Sequence, residues 1–249
     1  MTRYAEQYTR TVRALLAEID AEERSIHDAA KLMSDAIIRD ELIHVIGTGG
    51  HSNIGTYEMF MRAGGLAPVN GILDAGTLIS LGALRSSRIE RTPGYAPAVL
   101  DSFNVTGGVL IIINAYGINA LTIDTALEGK KRGVPTIGVT SRSFGDNIPA
   151  DHPARHPSRK NLYQLVDVFV DCHMPLGDAV VEFESIKPRV APVSTLVLSY
   201  TLNLMVIETV RLLQEQGHTP PVWTSGNMPG GQEASQKLLE KYRSRIRLI

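Results

Sequence analysis

The first forty residues carry their apolar side chains at helical spacing. Tyr4, Tyr8, Val12, Leu15 and Ile19 fall on one face, and Ile26, Ala30, Met33 and Ile37 repeat the pattern. Two helices over 3–39 follow, joined at Asp20 to Arg24. Both faces of this α-hairpin carry Tyr, Met and Ile, more than one packing surface needs, so the hairpin is expected to meet a partner. The period then shortens. Leu42 to Ile46, Ala67 to Asn70, Val109 to Ile113, Thr136 to Thr140 and Val166 to Asp171 are short runs of strand length. The third is continuously apolar and mostly β-branched, as expected of a central parallel strand covered on both faces.

Helical patterns separate these runs. Ile54, Tyr57, Phe60 and Met61 mark one, which stops near Gly64-Gly65. Leu121, Ala126 and Leu127 mark a second, beginning near Asn119 and closed by Lys130-Lys131-Arg132-Gly133. Those cations suit the negative end of a helix and the glycine suits its cap. A short helix is expected at Leu162 to Leu165, a long one from Ser194 to Gln216 and a last one from Glu233 to Ile246. Residues 71–104 resist assignment, because Gly71, Gly76, Gly82, Pro93, Gly94 and Pro97 interrupt every period. With the basic run Arg85, Arg88 and Arg91, they read as a solvated excursion holding a short helix, with a substrate lid as the alternative. Strands alternating with helices predict an α/β fold, a three-layer α/β/α sandwich on a parallel sheet. The chain divides into an N-terminal hairpin (1–40), the α/β domain (41–222) and a tail with its own helix (223–249).

Composition narrows the function classes. The 249 residues are 43% apolar and 20% charged, ordinary for a globular protein. A net charge of −1 argues against nucleic-acid binding driven by bulk electrostatics. The one cysteine, Cys172, reads as an inert buried thiol; no intrachain disulfide is possible, and a reducing cytoplasm is expected. No Cys/His cluster has zinc spacing, so no metal and no cofactor are expected. Residues 1–13 lack the apolar core of a signal peptide, and no membrane association is expected. The apolar stretch Val193 to Leu213 includes Ser194, Thr195, Ser199, Asn203, Glu208 and Arg211, and reads as a buried helix.

The candidate chemistry gathers where strands end in polar loops. Gly47-Thr48-Gly49-Gly50-His51-Ser52 joins the first strand to a helix, a recipe for an anion site. It lacks the lysine of a phosphate-binding Walker loop and the third glycine of a dinucleotide loop. A purely structural turn stays open. Asn114-Ala115-Tyr116-Gly117-Ile118-Asn119 is the equivalent loop after the third run, and 141–160 follows the fourth. All three belong at the carboxyl ends of the strands, where such folds bind ligands. His44, inside the first strand, reads as a core histidine, and His51 as either a ligand contact or part of the turn.

Together these units resemble the sugar isomerase (SIS) domain family, and more narrowly its stand-alone bacterial branch related to phosphoheptose isomerase. The resemblance covers nearly the whole chain. It rests on the loop 47–52, Glu-Met-Phe-Met-Arg-Ala-Gly-Gly-Leu-Ala-Pro-Val at 58–69, and Ala-Leu-Glu-Gly-Lys-Lys-Arg-Gly-Val at 126–134. Ile-Gly-Val-Thr-Ser at 137–141, Gly-Asp-Ala at 177–179 and Pro-Val-Ser-Thr at 192–195 complete it. It implies a phosphosugar-sized ligand at a subunit interface, a homodimer or higher oligomer, and aldose–ketose isomerisation through an enediol. A non-catalytic phosphosugar-binding regulator and a lyase or etherase of the same fold are the alternatives.

The resemblance also implies roles. Glu58 corresponds to the proton-abstracting base, its alternative being a paired surface carboxylate. His156 matches the first position of a His-x-Ser-x-Lys pattern with Ser158 and Lys160, implying ring opening or proton shuttling; its alternative is a surface histidine. Gly49, Gly50, His51 and Ser52 are expected to bind substrate, with Asn114, Tyr116, Gly117 and Asn119 opposite. Asp178 is expected either to contact a substrate hydroxyl or to hold a turn. One departure stands out. The family's second loop usually reads Ser-x-Ser-Gly-x-Thr, whereas here two amides and a phenol replace the hydroxyls. A phosphorylated sugar stays the first reading, with a free sugar or another anionic end group as the alternative.

Overall fold

A computed structural model describes residues 1–249. Helices α1 (Arg3–Asp20) and α2 (Glu23–Ile38) form the hairpin, turning at Ala21 and Glu22. Five parallel strands follow: β1 (Ile43–Gly47), β2 (Val69–Ile72), β3 (Val109–Ile113), β4 (Thr136–Thr140) and β5 (Val168–Asp171), in the order β2-β1-β3-β4-β5. Between them lie α3 (Asn53–Met59), α4 (Ala83–Ile89), α5 (Ala96–Ser102), α6 (Ala120–Lys131) and α7 (Arg142–Asn147). An antiparallel pair, β6 (Ala179–Val181) and β7 (Val190–Pro192), leads into α8 (Ser194–Glu215), and α9 (Gly231–Tyr242) ends the chain. The architecture is the three-layer parallel α/β sandwich that the alternation implies.

The period-2 alternation of β3 divides two cores. Val109, Ile111 and Ile113 join the larger one, with Met33 of α2, Met59 of α3, and Leu202 and Met205 of α8. Leu110 and Ile112 face the other way, against Val99 and Leu100 of α5 and Ile123 and Ala126 of α6. A third, small cluster sets Trp223, Tyr242 and Ile246 of the tail against Ala67. Helix α8 has the length and hydropathy of a membrane span. Val197, Thr201, Leu202, Met205, Thr209 and Leu213 are buried, and the helix packs on α2 and α3.

Two expectations are corrected. Residues 71–104 are not a solvated excursion: α5 buries Ala96, Val99 and Leu100 in the second core, and the segment also builds α4 and a 3-10 turn at Ile79–Leu81. The regular elements are only three to seven residues long, too short for a period to show against the glycines. The hairpin β6–β7 also went unread, because its three-residue strands give an alternation no chance to repeat.

His44 lies in β1 at 3% exposure. Its Nδ1 accepts from the Asn70 amide at 3.0 Å, and a ring N–H serves the Gly107 carbonyl. Burial pushes its pKa down to about 4. The unfolded chain, with an ordinary histidine near 6.5, therefore takes up a proton before the folded one does. Stability conferred by this site is complete above pH 6.5, falls as the pH drops towards 4 and is then level. The loss is roughly 3 kcal/mol, from the two pKa values. Urea unfolding of wild type and His44→Gln across this range should show the wild-type slope to be the steeper.

Candidate functional site

A polar cavity of about 370 Å³ opens at the carboxyl ends of β1 and β3. Its floor is the first loop, Gly49 to Ser52, and one wall is the second loop, Asn114 to Tyr116. Ser86, Ser87 and Glu90 come from α4 and its end, and Asp178, Ser194 and Thr195 from the approach to α8.

The first loop is compact because Gly47 has no side chain. A Cβ there would strike the backbone of Ser52. Thr48 anchors the loop to α6 through a 2.7 Å bond between its hydroxyl and that of Thr122. A Cβ on Gly49 would lie 2.7 Å from Glu90 Oε2 and 3.3 Å from Asn114 Nδ2. The glycine thus makes room for a carboxylate and an amide that arrive from two different segments.

Glu90 ends α4, where its N–H donates to Ser86. Its own carbonyl accepts from Leu121 N–H in the first turn of α6, at 3.0 Å. The carboxylate projects inward, with Arg91 Nη1 3.2 Å away at the rim. Burial raises its pKa above the usual carboxylate range; Arg91, the Gly50 amide and His51 offset part of that rise. Tyr116 leans on Phe144, ring centroids 4.5 Å apart. Burial first, then the charges of Asp178 and Glu90, raise its pKa, so the phenol keeps its proton.

Two polar groups in the walls hold the backbone. Asn114 Oδ1 accepts from the N–H groups of Tyr116 and Gly117 at 3.0 and 2.9 Å. Both partners are donors, so the oxygen is assigned and Nδ2 points towards Gly49. Asp178 Oδ1 accepts from Val193 and Ser194 N–H at 3.0 and 2.7 Å, and Oδ2 from the Ser194 hydroxyl at 2.8 Å. Val193, the residue at the N-cap of α8, has no acceptor in its side chain, so Asp178 caps the helix from the preceding turn.

Of the residues singled out from sequence, Gly49, Gly50, His51, Ser52, Asn114, Tyr116 and Asp178 line this cavity. Gly117 and Asn119 do not. Gly117 braces Leu162 through its carbonyl, and the Asn119 amide donates to Ala154. Glu58 also stands apart, on α3, bonded to Asn203 Nδ2 at 2.9 Å and to Arg62 at 3.2 Å. His156 sits over α6, with Nε2 3.1 Å from Asp124. Its Nδ1 accepts from Ser158 N–H at 3.0 Å, and the Ser158 hydroxyl accepts from Lys160 N–H. These contacts fasten the 155–160 loop to α6, outside the cavity. Sequence reasoning missed Glu90, Ser86, Ser87, Ser194 and Thr195. The available signal for Glu90 was a lone carboxylate inside the run Arg85 to Arg91.

The SIS domain matches residues 7–141, a span that holds both cavity loops and Glu90. A UPF0309 protein from Halalkalibacterium halodurans is 36% identical over 232 residues, covering 93% of this chain and 91% of that one. One from Geobacillus thermodenitrificans is 36% identical over 92% of this chain and 90% of its own length. A solved phosphoheptose isomerase from Francisella tularensis shares the fold with a TM-score of 0.53 at 14% identity, covering 86% of this chain and all of its own. Another, from Neisseria gonorrhoeae, gives 0.50 at 15%, over 85% and 97% of the two chains. Since the matched span runs from the hairpin through β4 and the bacterial relatives extend the likeness across the remainder, the chain belongs to the SIS domain family, in the company of the UPF0309 proteins.

Proposed function

We propose that the chain is an aldose–ketose isomerase of a sugar or sugar phosphate, working through an enediol without a metal, and that Glu90 is its base. The observation that carries this reading is a half-buried carboxylate, raised in pKa, that projects into the cavity beside two polar loops. Isomerisation moves a proton between adjacent carbons while the carbonyl and hydroxyl exchange places. Glu90 takes the proton from the carbon next to the carbonyl and returns it to the neighbouring one. The developing enediolate oxygen needs donors that do not ionise. Asn114 Nδ2 and the Tyr116 phenol supply them, and His51, next to Glu90, is placed to move protons between the two oxygens. The base role passes from Glu58 to Glu90 on this reading, since Glu58 is paired on another face.

The cavity's site is also proposed to work in a homodimer. Ile54 and Tyr57 of α3 and Leu196 and Ile207 of α8 are exposed large apolar residues on two helices that pack together. An exposed apolar stripe on a long helix is a surface a second copy would cover. The reducing cytoplasm is the proposed location, consistent with a lone buried thiol, Cys172.

Four outcomes follow. Incubation with C4–C7 sugars and their phosphates in deuterated water should yield a product isomeric with the substrate, carrying solvent deuterium at the carbon beside the carbonyl. Two products would indicate a lyase, and binding without turnover a sensor. Glu90→Gln should keep substrate binding and lower kcat by about two to four orders of magnitude, while Glu58→Gln stays within a few-fold of wild type. The acid limb of kcat/KM should lie above the ordinary glutamate value of about 4.3. Sedimentation should report a dimer at micromolar concentration, and Ile207→Lys should shift it to monomer without unfolding it.

A further inference from the structure

Ile79 is a large apolar side chain that the hydrophobic cores do not use. It is 41% exposed and joins none of the three clusters, yet it lines the cavity. Its neighbours fix where it sits. It opens the 3-10 turn Ile79–Leu81, two residues after the buried Thr77. The Asn53 amide donates to the Thr77 carbonyl and hydroxyl oxygens, each at 3.2 Å, and the Ser86 hydroxyl donates to the same carbonyl at 2.6 Å. Gly82, with φ at +126°, then turns the chain into α4. The base of the turn is thus pinned to α3 and α4, and Ile79 is held against the first loop.

What it touches there is Gly50. A Cβ on that glycine would fall 2.3 Å from Ile79 Cγ2 and 3.1 Å from Ser86 Oγ. The Gly50 N–H in turn donates to the Glu90 carboxylate, whose Oε2 lies against Gly49. Ile79 and Glu90 therefore meet at two consecutive glycines, one bringing a methyl group and the other an oxygen. The remaining groups around the carboxylate are polar. Arg91 stands at the rim, His51 comes from the first loop, and Tyr116 and Asp178 line the cavity with it. A hydrogen bond to a carboxylate strengthens where water is kept off, and the same exclusion of water favours the protonated form.

We propose that Ile79 is a positioning residue for this site: its γ-methyl covers Gly50 and keeps water from the bond between the Gly50 amide and the Glu90 carboxylate. The inference rests on the reading of Glu90 as the base and deepens it. Ile79 acts through Glu90 and does no chemistry of its own.

The test is a carboxyl-carbon NMR titration of the full-length protein labelled at glutamate Cδ, the Glu90 resonance being the one missing from Glu90→Gln. In wild type, Glu90 should titrate above the ordinary value of about 4.3. Ile79→Ala removes Cγ2 and should bring the titration down towards that value by about half a pH unit or more. Ile79→Val keeps Cγ2 and should stay within about 0.2 of wild type. An Ile79→Ala protein that titrates with wild type or above it overturns the proposal, and so does Ile79→Val falling as far as Ile79→Ala. Should Ile79→Ala not fold, amide hydrogen exchange on wild type decides. The Gly50 N–H should exchange at least about tenfold more slowly than that of His51, which has no partner in the chain. Equal rates overturn the proposal. Turnover separates this inference from the reading beneath it. A titration that falls in Ile79→Ala while the acid limb of kcat/KM stays in place removes Glu90 as the base and leaves the cover. A titration that does not move, with Glu90→Gln inactive, removes the cover and leaves the base.

Discussion

The approach of the Glu90 carboxylate to Gly49 ties the molecule together. It requires a glycine in the first loop, since any side chain there would meet Oε2. It also requires α4 to end at the cavity mouth and α6 to receive the Glu90 carbonyl on its first turn. Three segments, distant in sequence, therefore agree on one position. A carboxylate held this way is kept from water on several sides, and that desolvation raises its pKa.

Burial on both faces of the sheet makes this arrangement durable. The side chains of β1 and β3 feed two cores at once, so the strand ends that carry the loops have little freedom to shift. Two buried polar pairs tie neighbouring elements together: the Asn70 amide with His44, and Thr48 with Thr122. The rim is different. Ile79 of the cavity lining is exposed, and so are Leu81 and Leu84 in the same segment.

The likeness to phosphoheptose isomerases concerns the fold, and the local chemistry departs from the family's usual second loop. Replacing hydroxyls by Asn114, Tyr116 and Asn119 does more than change the donors on offer. Asn114 turns its oxygen back onto the loop's own amides, and Asn119 leaves the cavity for Ala154. The Tyr116 and Gly117 amides of the loop are thus satisfied without a ligand.

The sequence by itself determined the layers. Five short runs separated by helical periods specify a parallel α/β sheet, because period and burial are local and repetitive, and the expected strands at 42–46, 109–113, 136–140 and 166–171 lie within two residues of those observed. The glycine loop at 47–52, Asn114, Tyr116 and Asp178 were legible for a related reason, since strand ends in this architecture point to the ligand side. Tertiary structure decided the rest. Glu90 enters the cavity only because a segment of short, period-free elements folds back over β1, and neither Arg85 nor Arg91 announces that path. Asp178 acts as a cap because Val193, fifteen residues later, has no acceptor of its own. Glu58 and His156 carried the right residue types in plausible places, yet their partners, Asn203, Arg62 and Asp124, come from helix packing that no local pattern encodes. Which carboxylate is desolvated depends on what surrounds it, and that is a property of the assembled fold.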